Sequence, residues 1–437
     1  MSELEKSILE YGKSDAVRLH MPGHKGRKPC GILPEELYAY DITELSFSDE
    51  LFEANDGIAQ AEKRLSSLFG SGATVMSPFG ATSCIQTMVS LAASRGKILL
   101  PRNMHYSVFN AIGILGAEEI ILPVEESEKT PAGILSLEAV EKAFKTDSSI
   151  SALFVTSVDY YGCIADIEGY SRLCKKYCKL LLVDNSHGAH FKFLSGFKHP
   201  LELGADMVCD SIHKTVPAMT GSALLHFASP LLETEGKKHM KRICSSSPSY
   251  PIMLSICAAA DWLSEKAEQE YATLCERLSW LKYELKEYGY SVSDGDPCRL
   301  YVCGGNIGIS GSELSEILAE NGCIPEFADR NGVLLMFTPM NSAEDIARVS
   351  QALMSVPVKN IHLSNLPYCD IIPQRALSVS EAVRARCECV DATESIGRIA
   401  AECIGRYPPG LPQIISGEYI EALPQGVNVK NILVVAE

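Results

Sequence analysis

Four places in this chain combine side-chain type and position in ways that could do chemistry. The sharpest is LLLVDNSHGAH, residues 180–190, where an apolar run ends in Asp184 and small and polar residues follow at once. A carboxylate at the end of a buried strand can hold a cationic group, such as a protonated pyridine nitrogen, by a charge-assisted hydrogen bond. An aspartate that caps a helix or shapes a loop is the equal alternative. Further along, MVCDSIHKTVP sets Ser211, His213 and Lys214 just beyond another short apolar run. A lysine in that position is desolvated, which lowers its pKa and makes it a nucleophile. A loop lysine in solvent is the ordinary case, but the spacing from Asp184 and the preceding Ser and His favour the reactive one. In FGATSCIQTMVS, Gly80 and Ala81 form a tight turn, and Thr82 and Ser83 sit where a helix begins. Free amides and hydroxyls at a helix N-terminus suit a phosphate, although a plain N-cap has the same composition. His105, in PRNMHYS, offers a flat imidazole that could stack on an aromatic ring or serve as a hydrogen-bonded structural histidine.

These residues need strand ends and helix starts to hold them. Short apolar runs at residues 73–77, 97–100, 119–122, 152–156, 180–183 and 207–209 read as strands, and helical spacing separates many of them, as at residues 167–177. Buried short strands alternating with helices predict a mostly parallel, doubly wound sheet, whose strand C-termini face the ligand crevice. An amphipathic helix over residues 3–11 and a Gly/Pro-rich stretch, HMPGHKGRKPCG, make residues 1–55 an arm. A helix over residues 58–69 stops at Gly70. Residues 56–260 form a large domain and residues 261–437 a smaller C-terminal α/β domain. A long helical pattern over residues 251–288, broken once, joins them. Within the smaller domain, residues 299–309 and 333–337 read as strands, residues 342–354 as a helix, and residues 378–389 as a helix-like run.

Composition narrows the class. The net charge is −16, from 39 basic and 55 acidic residues, which argues against nucleic acid and mildly favours a cationic small molecule. Sixteen cysteines are scattered through apparent helices and strands without zinc-ligand spacing, so they read as reduced, small apolar residues, with no metal site. The N-terminus is charged and lacks the apolar core of a signal peptide. No stretch approaches the ~20 apolar residues of a membrane span. A soluble cytoplasmic protein is expected.

The order along the chain is phosphate turn, ring stacker, strand-end aspartate, then lysine. That is how a type I pyridoxal-phosphate (PLP) enzyme, with the aspartate-aminotransferase-like fold, presents its site. The chain resembles the ornithine/lysine/arginine decarboxylase family in its short form, without an N-terminal wing domain. The likeness runs over nearly the whole length, through PGHKG (22–26), DITEL (41–45), GATS, RNMHYS, TSVDYYG (156–162), VDNSHGAH, SIHKT, SSSPSYP (245–251) and YPPGLP (407–412). The resemblance implies that Lys214 forms the Schiff base with PLP and that Asp184 pairs with the pyridine nitrogen. It implies further that His105 stacks on the ring, that Ser186 and His187 lie against the cofactor, and that Lys214 or His213 returns a proton to Cα. Thr82, Ser83, Ser211 and His213 would hold the phosphate, with an amide from Ala81. Ser246 would reach the phosphate of a neighbouring subunit, which implies a homodimer, or a higher homo-oligomer, with its active sites at the dimer interface. The implied reaction is decarboxylation of lysine, arginine or ornithine to a polyamine-type amine.

The chain departs from the family pattern at several points. Asn185 and Ser186 replace Glu-Ala, Asp159 stands where Thr is frequent, Tyr106 replaces a lysine, and Gly221 follows Thr220 without the usual glutamine. Another type I reaction, such as transamination or C–S lysis, and an inactive PLP-binding paralogue are the alternatives. An aminotransferase would need an arginine for the substrate carboxylate, with Arg398 and Arg406 as candidates. Glu326 and Asp329 are candidates for an acidic group facing a cationic side chain, or are solvated loop residues.

Overall fold

Short apolar runs bounded by glycine and polar residues make the strands, because a segment buried on both faces needs no alternation. The computed structural model describes residues 1–359, 372–424, 426–427 and 429–436. In chain order the strands are β1 (Ala73–Ser77), β2 (Lys97–Pro101), β3 (Glu119–Leu122), β4 (Glu125–Ser127), β5 (Thr130–Ile134), β6 (Ile150–Thr156), β7 (Leu180–Asp184), β8 (Met207–Asp210) and β9 (Ala223–Phe227). β10 (Ser291–Val292), β11 (Arg299–Cys303), β12 (Phe327–Ala328) and β13 (Gly332–Met336) follow. Contacts divide the chain into two compact units that interleave in sequence. One comprises Met1–Ser94 and Leu180–Glu268, the other Arg95–Lys179 and Gln269–Glu437.

In the first unit the strand order is β1-β9-β8-β7. β7 and β8 run parallel, and β9 is antiparallel to both β8 and β1. Val75, Met76, Leu181 to Val183 and Met207 to Cys209 are fully buried. The helix Ala81–Ala93 covers this core with Cys84, Ile85, Met88, Val89 and Leu91. The helix Gly57–Phe69 ends as expected at Gly70, which adopts φ 73°, the left-handed conformation that glycine supplies at little cost. In the second unit β6, β2 and β3 are parallel neighbours, β4 and β5 form a hairpin, and β10-β11-β13-β12 form an antiparallel sheet.

Three expectations are corrected. The helix Tyr250–Tyr288 runs unbroken. After Pro251, which sits in the first turn where a missing N–H costs nothing, its interior holds neither glycine nor proline. The stripe Met253, Ile256, Ala260, Leu263, Ala267, Tyr271, Leu274, Leu278, Leu281 and Leu285 stays buried throughout. Residues 378–389 are not one helix. The helix Val379–Arg384, closed by a Ser378–Glu381 capping box, gives way to the strand Cys387–Asp391, because residues 431–435 supply a strand partner from far along the chain. Residues 299–309 are strand only to Cys303, after which Gly304 and Gly305 turn the chain into a short 3-10 helix.

Candidate active site

The site residues of the first unit emerge from two parallel strand ends. Asp184 is the last residue of β7 and pairs in register with Cys209 of β8. The segment after β7 and the segment Ser211–Lys214 therefore leave the sheet at the same edge. Asp184 is 4% exposed, and one carboxylate oxygen accepts the Ser186 N–H at 3.0 Å. After β8, residues Ile212–Lys214 make one 3-10 turn anchored by buried Ile212. That turn brings the Lys214 Nζ within 3.0 Å of His187 Nε2. Cys209 Sγ lies 3.6 Å from the Ala81 carbonyl oxygen, which ties the start of the helix Ala81–Ala93 to the end of β8.

The turn into that helix is open to a ligand. Gly80 is its N-cap, with φ 77° and no side-chain cap on the first amides. A Cβ at Gly80 would meet nothing within 4 Å, so there is free space over the turn. The Gly80 N–H donates to the Gly221 carbonyl at 2.8 Å. His213 Nδ1 lies 3.0 Å from the Ser222 carbonyl, which can only accept, so the Nδ1 carries the proton. Thr82 is exposed at the turn. Ser83 is buried instead, and its hydroxyl is shared between the Gly80 carbonyl at 2.8 Å and Ser77 Oγ at 2.7 Å. The buried Ser222 hydroxyl has no hydrogen-bond partner among the described residues. Burial lowers the His213 pKa and the charge of Lys214 adds to that, while the bond to the Ser222 carbonyl opposes them.

Behind these residues lies a network that sequence reasoning missed. Asp210, fully buried, accepts three hydrogen bonds: Asn185 Nδ2 at 2.6 Å on one oxygen, His199 Nε2 at 2.9 Å and His226 Nε2 at 3.0 Å on the other. Burial alone would raise its pKa, but the two imidazoles hold it well below the usual carboxylate range. The Leu201 N–H reaches His199 Nδ1 at 3.4 Å, and Thr74 bonds His226 Nδ1 at 2.8 Å. The Leu201 N–H leaves the His199 proton on Nε2, facing the carboxylate, and the Asp210 carboxylate, which can only accept, takes the Nε2 proton of His226 in the same way. The signal was available, because Asp210 ends a buried strand directly before Ser211.

This network explains one departure, since a glutamate at 185 would set a second carboxylate against Asp210. Gly221 is explained by its φ of 97°. Asp159, in the second unit, accepts the Thr130 hydroxyl and, at 2.8 Å, the Cys163 N–H, and so closes the turn that carries YYG. Tyr106, also in the second unit, has a buried hydroxyl with no hydrogen-bond partner among the described residues, and burial pushes its pKa up.

His105 belongs to the second unit, where it caps the helix Tyr106–Leu115 through its Nδ1, accepting the Ser107 N–H at 3.2 Å. Ser246 is exposed in the first unit, two residues after Cys244, whose thiol interacts with Ser83 and is pushed up to about 11 by burial. Asp329 is used locally, accepting the Asn331 and Gly332 amides and the Tyr301 hydroxyl on one oxygen. Glu326 receives the Tyr160 hydroxyl at 2.7 Å. Arg398 pairs with Glu388 and donates to the Val435 carbonyl at 3.0 Å. The described cysteines are free thiols, and among the described residues no helix is long and apolar enough to cross a membrane.

The donor set of the first unit fits PLP. An uncapped helix N-terminus with open space suits a phosphate, a buried carboxylate suits a pyridinium, and a lysine stands at the adjoining strand end. The fold is that of the type I PLP enzymes. A lysine decarboxylase from Francisella novicida superposes with a TM-score of 0.81 at 17% identity, over 100% of this chain and 81% of its own. A serine palmitoyltransferase described as holding PLP as an internal aldimine gives 0.58 at 16% identity, over 71% of this chain and 80% of its own. The sequence model of the Orn/Lys/Arg decarboxylase major domain matches residues 3–287, and that of the C-terminal domain matches residues 358–428. The chain belongs to the Orn/Lys/Arg decarboxylase family. An arginine decarboxylase of Bacillus subtilis is 27% identical over 95% of this chain and 91% of its own length.

Two outcomes follow from the network. Asn185→Asp removes a donor and adds a charge beside Asp210. It is expected to lower stability by on the order of 3 kcal/mol in urea denaturation at neutral pH; an unchanged midpoint would refute the network's role. His213 and His226 both titrate below the 6.5 of a free histidine, chiefly through burial. The unfolded chain therefore takes up protons first, so stability is full above pH 6.5 and is lost as the pH falls through the lowered values. In thermal unfolding followed against pH, His226→Asn should flatten that acid slope, and a slope equal to the parent's would contradict the assignment.

Proposed function

We propose that this chain is a cytoplasmic, homodimeric decarboxylase of a basic amino acid, lysine, arginine or ornithine, with PLP carried on Lys214. One observation carries the reading. Asp184 and Lys214 leave adjacent parallel strands at the same edge, beside an uncapped helix N-terminus bonded to the same strand end. PLP, when bound, accepts the electron pair left on Cα as carbon dioxide departs. Membership of a decarboxylase family supports the reaction type.

The surroundings of several residues support the roles that the family resemblance implies. The Asp184 carboxylate, oriented by the Ser186 N–H, keeps a pyridine nitrogen protonated, and without that proton the ring cannot take up electrons. The Ala81 amide, Thr82, Ser83 and Ser211 hold the phosphate, Ser83 through its amide because its hydroxyl is engaged with Gly80 and Ser77. His213 has its proton fixed on Nδ1 by the Ser222 carbonyl and a lowered pKa, so its Nε2 is the nitrogen that passes a proton. Lys214 or His213 returns a proton to Cα. Ser186 and His187 lie against the ring, and the nearness of His187 to the Lys214 amine gives that amine a proton acceptor. His105 takes the ring face and Ser246 the phosphate of the neighbouring subunit. The net charge of −16 favours a cationic substrate. Engagement of Arg398 by Glu388 weakens the aminotransferase reading.

The test incubates the protein with PLP and, separately, lysine, arginine and ornithine, and follows carbon dioxide and amine. One of the three should give both products in equal amounts. Transamination of an added keto acid without carbon dioxide would overturn the proposal. Lys214→Ala should abolish the visible absorbance of the lysine-bound cofactor; a spectrum equal to the parent's would sink Lys214 as its carrier.

A further inference from the structure

The segment carrying His105 is gripped from both sides by one stretch near the C-terminus, and the grip ends on the imidazole itself. Ahead of the histidine, buried Arg102 forms a two-pronged pair with Glu418 and gives a further N–H to the Gln413 carbonyl at 2.7 Å. Glu418 is held in turn by the Ile415 N–H at 2.7 Å. Behind it, the Tyr106 N–H donates to the Gly410 carbonyl at 2.9 Å. Between these anchors, Gly410 meets the ring edge-on. A Cβ on Gly410 would lie 2.6 Å from His105 Nε2 and 2.7 Å from its Cδ2, closer than non-bonded atoms approach. Its φ of 75° further favours glycine. The opposite corner of the ring is held by Ser107, whose N–H and Oγ lie 3.2 and 2.8 Å from Nδ1.

An imidazole turns about a broad, roughly two-fold torsion, so its plane is not set by its own rotamer. Here both edges are fixed, one by hydrogen bonds and the other by a bare backbone, which leaves the ring's plane defined. The Tyr407 ring, 6.2 Å away and tilted by 58°, flanks the imidazole without stacking on it. We propose that Gly410, in the loop YPPGLP, is a positioning residue that sets the plane of His105, so that the C-terminal segment tunes how tightly the cofactor is gripped. This rests on the reading that His105 lies on the cofactor's face.

The test is a double-mutant cycle on the holoenzyme, with Gly410→Ala, His105→Ala and the pair, read by the rate of cofactor loss and by the visible circular dichroism of the bound cofactor. Each single variant should release cofactor about tenfold faster and lose dichroism, while Gly410→Ala adds nothing once the imidazole is gone. Additive effects, or a Gly410→Ala protein equal to the parent while His105→Ala is not, overturn the inference. Cofactor release and dichroism unchanged in His105→Ala would instead defeat the stacking reading on which it rests. Should Gly410→Ala fail to fold, Tyr407→Ala, at a ring 75% exposed, serves in the same cycle. Its smaller change, about twofold, should vanish in the His105→Ala background, and an equal change in both backgrounds overturns the proposal.

Discussion

The arrangement depends on one buried carboxylate. Asp210 ends β8 without exposure to water, and an ionised carboxylate there is tolerable only if its lone pairs are filled. Asn185, His199 and His226 fill them. Asn185 directly follows Asp184, and Asp210 directly precedes Ser211, so the bond between them sews together the two segments that carry the candidate chemistry. A shift of either strand by one residue would break that bond and turn Asp184 to the other face of the sheet.

The same economy appears in the second unit. The loop RNMHY is anchored by buried Met104, and it is held besides through the Arg102–Glu418 pair and the Gly410 carbonyl. A flat side chain is useful for stacking only when its plane is fixed. The tight backbone of YPPGLP supplies that constraint by contact rather than by a further hydrogen bond.

Much of this was legible in the sequence because the signals were local. Apolar runs such as LLLVD and MVCD gave their strands, and Gly70 gave its helix end. The motif order pointed to the type I fold and to the family that the matches at residues 3–287 and 358–428 establish. What escaped was non-local. Asn185 read as a departure that put the reaction in question, since nothing nearby in sequence shows that its partner is Asp210, with His199 and His226 beyond. The start of the strand Cys387–Asp391, to residue 389, read as helix because its partner lies forty or more positions away, at residues 431–435. The helix Tyr250–Tyr288 read as interrupted because its length is unusual, although its buried stripe never loses phase. Ser83 read as a phosphate hydroxyl, yet its hydroxyl points inward to Ser77.

The most direct measurement reduces the PLP-loaded protein with borohydride, digests it and maps the pyridoxyl label by mass spectrometry. A lysine at a buried strand end, 3.0 Å from His187 Nε2, should carry the label, so it should appear on the peptide containing Lys214. A label on a different lysine, or no label in protein that has bound the cofactor, would contradict the account.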